Sequence, residues 1–138
     1  MIAAMDIAHF DDLLAAARAQ TEPQRLLLVF AGASLPAGAS AAQQAAFDAG
    51  EAGELGPLMC VDKSPAELAD FQALLAEAAT LAQPWALVFA GALGGSAGQA
   101  PGAQVVDAAL QTMVEAVRTG DIGRYIAFDR GGHAVQLD

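Results

Sequence analysis

LVFAGA stands at residues 28–33 and returns at residues 87–92, 59 positions later. Each copy is apolar without alternation, and each opens into a stretch of Gly, Ala, Ser and Pro. A short apolar run bounded by turn formers reads as a strand buried on both faces, the pattern of parallel sheets covered by helices. How these two strands pair decides the fold.

The repetition extends beyond the six letters. IAHFDDLLAAA at 7–17 aligns with LADFQALLAEA at 68–78, matching Phe10 with Phe71, Leu13 with Leu74 and Leu14 with Leu75. The apolar spacing in both puts one face of a helix against a core. AFDAG at 46–50 corresponds to AVRTG at 116–120, each Gly placed to end a helix in the left-handed conformation. GPLMCVDK at 56–63 corresponds to GRYIAFDR at 123–130, a second strand. The expected elements are helices over 7–20, 40–49, 65–82 and 105–119, alternating with strands over 25–32, 58–62, 86–92 and 125–129. Ser64-Pro65-Ala66-Glu67 opens the third helix as a capping box with Pro in its first turn. The fold class is α/β: an internally duplicated α-β-α-β unit, repeat 1 about 6–63 and repeat 2 about 64–130, forming a mainly parallel sheet flanked by helices. Asp129-Arg130-Gly131-Gly132 turns the chain into an antiparallel C-terminal hairpin strand at 133–138. The whole chain, 1–138, reads as a single domain.

Of the 138 residues 35 are alanine, so the 55% hydrophobic content is largely small side chains suited to packing helices on a sheet. Sixteen acidic residues against six basic ones give a net charge of −10, which disfavours nucleic acid and anionic membrane as partners. The uncharged runs at 26–47 and 78–106 are interrupted by Pro and Gly, so no membrane span is expected. Residues 1–12 lack the basic head of a secretory signal, and the single cysteine, Cys60, excludes an internal disulfide. A cytoplasmic location is expected. In an apolar strand, Cys60 reads as a buried thiol, slow to label.

FDDLLAAARAQ (10–20), PQRLLLVFAGA (23–33), PLMCVDK (57–63), QPWALVFAGALGG (83–95), MVEAV (113–117) and YIAFDR (125–130) resemble a family of short proteobacterial proteins labelled ribonucleotide reductase subunit alpha. The likeness covers nearly the whole chain and implies a link to ribonucleotide reduction. Large subunits of that enzyme are far longer, hold substrate in a large barrel and use several cysteines for a thiyl radical and a reducing dithiol. With Cys60 alone and no matching motif, the resemblance carries no residue role, and reductase activity is not expected.

GALGGSAGQAPG at 91–102 lies between a strand and a helix, where backbone N–H groups can approach a phosphate, so Gly91, Gly94, Gly95, Ser96 and Gly98 are candidate ligand residues. The loop lacks the spacing of a dinucleotide fingerprint and the lysine of a P-loop, and an enlarged connection explains it equally. Asp62-Lys63 and Asp129-Arg130 end equivalent strands. At the carboxyl edge of a parallel sheet those pairs would line a ligand site, the paired carboxylates of Asp62 and Asp129 serving acid–base work or a divalent cation, while each Asp also suits the start of a turn or helix. His9 and His133 have no partner at metal-ligand spacing, and no metal or cofactor is expected. The reading that follows is a non-enzymatic interaction or regulatory module working as a homodimer. The alternative is a small-molecule or anion-binding domain using the 91–102 loop, accessory to nucleotide metabolism.

Overall fold

The computed structural model describes residues 7–34, 38, 40–48, 54–80 and 84–136. In chain order these form α1 (Phe10–Arg18), β1 (Gln24–Ser34), α2 (Ala41–Asp48), β2 (Glu54–Lys63), a 3-10 turn (Pro65–Glu67), α3 (Phe71–Ala78), β3 (Leu87–Gly94), α4 (Ala103–Thr119), β4 (Ile126–Phe128) and β5 (Ala134–Val135). The five strands make one sheet in the order β2-β1-β3-β4-β5, and every neighbouring pair is antiparallel. The expected mainly parallel sheet is therefore incorrect. The apolar run reports that both faces of β1 are covered, and that cover forms over an antiparallel sheet as readily as over a parallel one.

Leu26, Leu28 and Phe30 of β1 point to one face, where they pack with Phe10, Leu13 and Leu14 of α1 and Phe71 and Leu74 of α3. Leu27, Val29 and Ala31 point to the other, against Val106, Leu110, Met113 and Val117 of α4. Five phenylalanines, Phe10, Phe30, Phe71, Phe89 and Phe128, are buried at 2% exposure or less, each contributing roughly 1.5–3 kcal/mol of burial in a chain otherwise short of large side chains.

The two LVFAGA copies lie side by side as the central strands β1 and β3, in a register that opposes Val29 to Phe89 and Phe30 to Val88. Directly opposed residues share a face and successive residues alternate, so a repeat spaced by an odd number of residues swaps sides in this ladder. Phe30 accordingly faces α1 and α3, while Phe89 faces α4. Identical letters fill different cores.

The helix expected over 65–82 is broken in two. Ser64 N–H donates to the Glu67 carboxylate at 2.9 Å, but the turn ends at Leu68, whose extended backbone sends its side chain into the core. Asp70 then caps α3 by accepting from Ala73 N–H at 3.1 Å, and Asp11 accepts from Phe71 N–H at 2.8 Å. Ser40 and Gln43 exchange bonds at the start of α2, and Gly120, at φ +83°, ends α4 in the left-handed conformation. Gly50, expected to end the second helix, lies outside the described residues, as do residues 137–138 of the terminal strand.

The β5 edge is closed by the chain itself. His9 bridges His133, Ala134 N–H donates to Ala8 O at 2.8 Å, and Phe10 N–H donates to Gly132 O at 2.8 Å. His9 also caps α1: its Nδ1 accepts from Asp11 N–H at 3.0 Å, leaving Nε2 to donate to Gly131 O at 3.1 Å. The β2 edge has no such partner strand among the described residues.

Candidate functional site

Because β2 and β3 both run opposite to β1, their last residues meet on either side of its start. Lys63 and Asp62 oppose Leu26 and Leu27, and Gly94 opposes Gln24. The structure thus gathers Asp62, Lys63 and the glycine loop at one end of the sheet. Asp129 and Arg130 follow β4, which runs the other way, and lie at the opposite end, where the Arg130 guanidinium sits 5.4 Å from the Trp85 ring centroid. The expected pairing of Asp62-Lys63 with Asp129-Arg130 depended on a parallel sheet and does not form.

At the gathered end the charges satisfy one another. Arg25 Nε donates to Asp62 at 2.6 Å and Nη1 to Glu67 at 2.9 Å; Lys63 pairs with Glu77 at 2.8 Å. The hydrogen bond with Asp62 raises the Arg25 pKa, and that with Glu77 raises the Lys63 pKa. Bonds from the backbone and hydroxyl of Ser64, with Arg25 nearby, hold the Glu67 carboxyl below its usual range. Each shift favours the charged form already present, which is how an ion-pair clamp behaves. A general acid or base is instead tuned towards its neutral form near the working pH. Arg18 binds the turn from below, donating to Leu68 O at 2.5 Å and Pro65 O at 3.3 Å. An open groove of about 470 Å³ runs between Arg18, residues 20–25 and Ser64-Pro65-Ala66.

The glycine loop is a closed turn. Ser96 and Gln99 exchange backbone bonds at 3.0 and 2.9 Å around Ala97 (φ +53°) and Gly98 (φ +77°), the two positive φ values of a tight type I′ turn. Gly95 N–H donates to Pro23 O at 2.8 Å, and a Cβ there would collide with Gln99 O at 1.8 Å. Gly98 N–H reaches the Glu22 carboxylate at 3.1 and 3.2 Å, so the N–H groups of Gly95, Ser96, Gly98 and Gln99 are engaged by the chain's own oxygens. Gly91 makes room for the Tyr125 ring, 3.2 Å from where a Cβ would stand, and Gly94 for the Gln24 amide at 3.1 Å. At the other end, Asp129 Oδ1 accepts from Gly131 and His133 N–H at 2.9 and 3.0 Å and builds the hairpin turn.

Sequence reasoning missed Arg25, Glu67, Glu77 and Arg18. Only Glu67 left a signal, its capping-box spacing from Ser64. It also misplaced Cys60, which is exposed. Cys60 opposes Val29 and shares its face, but it stands on the edge strand of the sheet, where its side chain is exposed. Among the described residues no group of three or more His, Cys, Asp or Glu could hold a metal ion, and no helix is long and apolar enough to cross a membrane.

No family model matches this chain, and no curated protein or solved structure is significantly similar to it. What its surface offers therefore has to be read from the geometry. Its least finished feature is the β2 edge: nine residue pairs join β2 to β1 on one side, and the outer side is the end of the sheet.

Proposed function

We propose that the protein is a non-enzymatic interaction module that works as a homodimer. The observation that carries this reading is the asymmetry of the two sheet edges: β5 is closed by residues 8–9, whereas the longer β2 has no partner strand on its outer side among the described residues. An uncovered strand presents a row of N–H and C=O groups that recruits another strand, and soluble proteins cover, charge or pair such edges. The engagement of Arg25, Lys63, Glu67 and Glu77 in a structural clamp supports the same reading, since it makes the gathered end a brace for β2. Repulsion between two chains of net charge −10 is screened beyond about 8 Å at physiological salt, so short-range contacts decide. Light scattering at micromolar concentration should return twice the chain mass. A monomer mass over the whole concentration range would refute the homodimer.

A further inference from the structure

We infer that the second copy docks on the open edge of β2, the two β2 strands running antiparallel about a two-fold axis and joining the sheets into one of ten strands; this rests on the homodimer reading above. Three observations select the surface and its occupant. First, the core is unfinished on that flank: Leu58, Met59 and Val61 of β2, with Ala73 and Leu75 of α3, pack against the α1-α3 core but are only partly buried. Second, residues 55–61 carry no charge in a chain of net −10, and the two charges that follow, Asp62 and Lys63, are already paired with Arg25 and Glu77. A like-charged copy meets its least repulsive approach there. Third, an antiparallel strand is complementary to itself, and the two-fold sets Leu58, Met59 and Val61 of one chain beside the same residues of the other, on the same face of the joined sheet.

Symmetry narrows the register. A two-fold axis perpendicular to an antiparallel ladder keeps each residue on its face, so it passes through a pair of identical residues directly opposed. The ladder between β1 and β2 is irregular at Phe30/Ala31, opposite Pro57, which has no N–H to donate. The regular part of the edge is residues 59–63, beyond the extra residue Leu58, and its centre falls on Val61, with Cys60 one residue away as the neighbouring axis position. With Cys60 on the axis, the two Cys60 Cα atoms lie about 5 Å apart. With Val61 on it, they are diagonal neighbours at about 7–8 Å. Either way the only thiol of each chain meets its counterpart across the axis.

The test uses the unaltered chain and a bis-maleimide with a reach of about 8 Å, matched to that diagonal spacing. A covalent dimer should form at submicromolar protein and be absent from C60S. Because Cys60 is exposed, C60E leaves the monomer fold intact, as circular dichroism will verify. It sets two carboxylates face to face at the axis, and the dimer dissociation constant should rise at least tenfold. As a check independent of Cys60, V61K should produce the same loss while circular dichroism shows the monomer still folded, a control required because Val61 also packs against its own core. A chain that is dimeric by light scattering, yet neither cross-links through Cys60 nor responds to C60E or V61K, would overturn the β2 surface while leaving the homodimer standing. A monomeric chain would overturn both.

Discussion

Gly132 shows how much a single residue carries. It sits at φ +84°, and a Cβ there would stand 2.6 Å from His9 Nε2 and 2.9 Å from Phe71 Cδ2. Gly98 has a similar φ, +77°, with nothing within 4 Å. Gly98→Ala therefore incurs only the left-handed strain, about 1–2 kcal/mol. Gly132→Ala adds an overpacking term of about 1–3 kcal/mol, because a helix cap and a core ring must both move. Urea unfolding of the two variants should show the larger loss at 132, and equal losses would mean that the seam between His9 and the hairpin is loose. Cys60 gives a second outcome at this scale: at concentrations where the chain is monomeric it should react with a thiol reagent at the rate of a free thiol, and C60S should change stability by no more than about 0.5 kcal/mol. The glycine of each LVFAGA copy is also a matter of local contact. Gly32 admits Pro84 O at 2.7 Å from a Cβ position, whereas Gly91 admits the Tyr125 ring.

At the scale of elements, the 3-10 turn and α3 are held by charge as much as by packing, and this makes their stability depend on pH. Glu67 has a lowered pKa in the fold, so its contribution is complete above the unfolded carboxylate value and is lost as pH falls through the folded one. Lys63 has a raised pKa, so its contribution is complete below the unfolded lysine value and is lost as pH rises through the folded one. Glu67→Gln should flatten the acid limb of a stability profile and leave the alkaline limb unchanged, with the reverse for Lys63→Met; thermal melts from pH 3 to 11 would show it. Asp70→Ala should cost about 1 kcal/mol by uncapping α3. These elements also mark what the primary structure revealed. Amphipathic spacing located α1 and α3, the repeat and its closing Gly120 located α4, and unbroken apolar runs located β1 and β3 with cover on both faces. Direction did not follow, because an apolar run records burial and is silent on whether its neighbour runs with it or against it. The helix break at Leu68 escaped notice because Ser64 and Asp70 are both good caps, and only the burial of Leu68 decides that each is used. Asp62, Lys63 and the glycine loop do meet, through opposed strands, while Asp129 and Arg130 part from them for the same reason. The exposure of Cys60 depends on which strand lies at the edge, a property of the whole sheet.

For the molecule as a whole, the sheet is closed at one side by a seam that joins residues 8–10 to residues 131–134, two of its bonds spanning 122 positions and a third 126. If the seam opens as a unit, the amide protons of Phe10, Asp129 and Ala134 should exchange with solvent at one common rate, slower than those of residues 41–45 on α2, and a scatter of rates among the three would show that it frays piecemeal. The same seam sets the order of events during synthesis. α1 is made well before the carbonyls that fix its first turn, which belong to Gly131 and Gly132. Until they emerge, Phe10 and Leu13 have no closed core to enter. The nascent chain must hold α1 in waiting, and the domain locks only after residues 131–134 have been made.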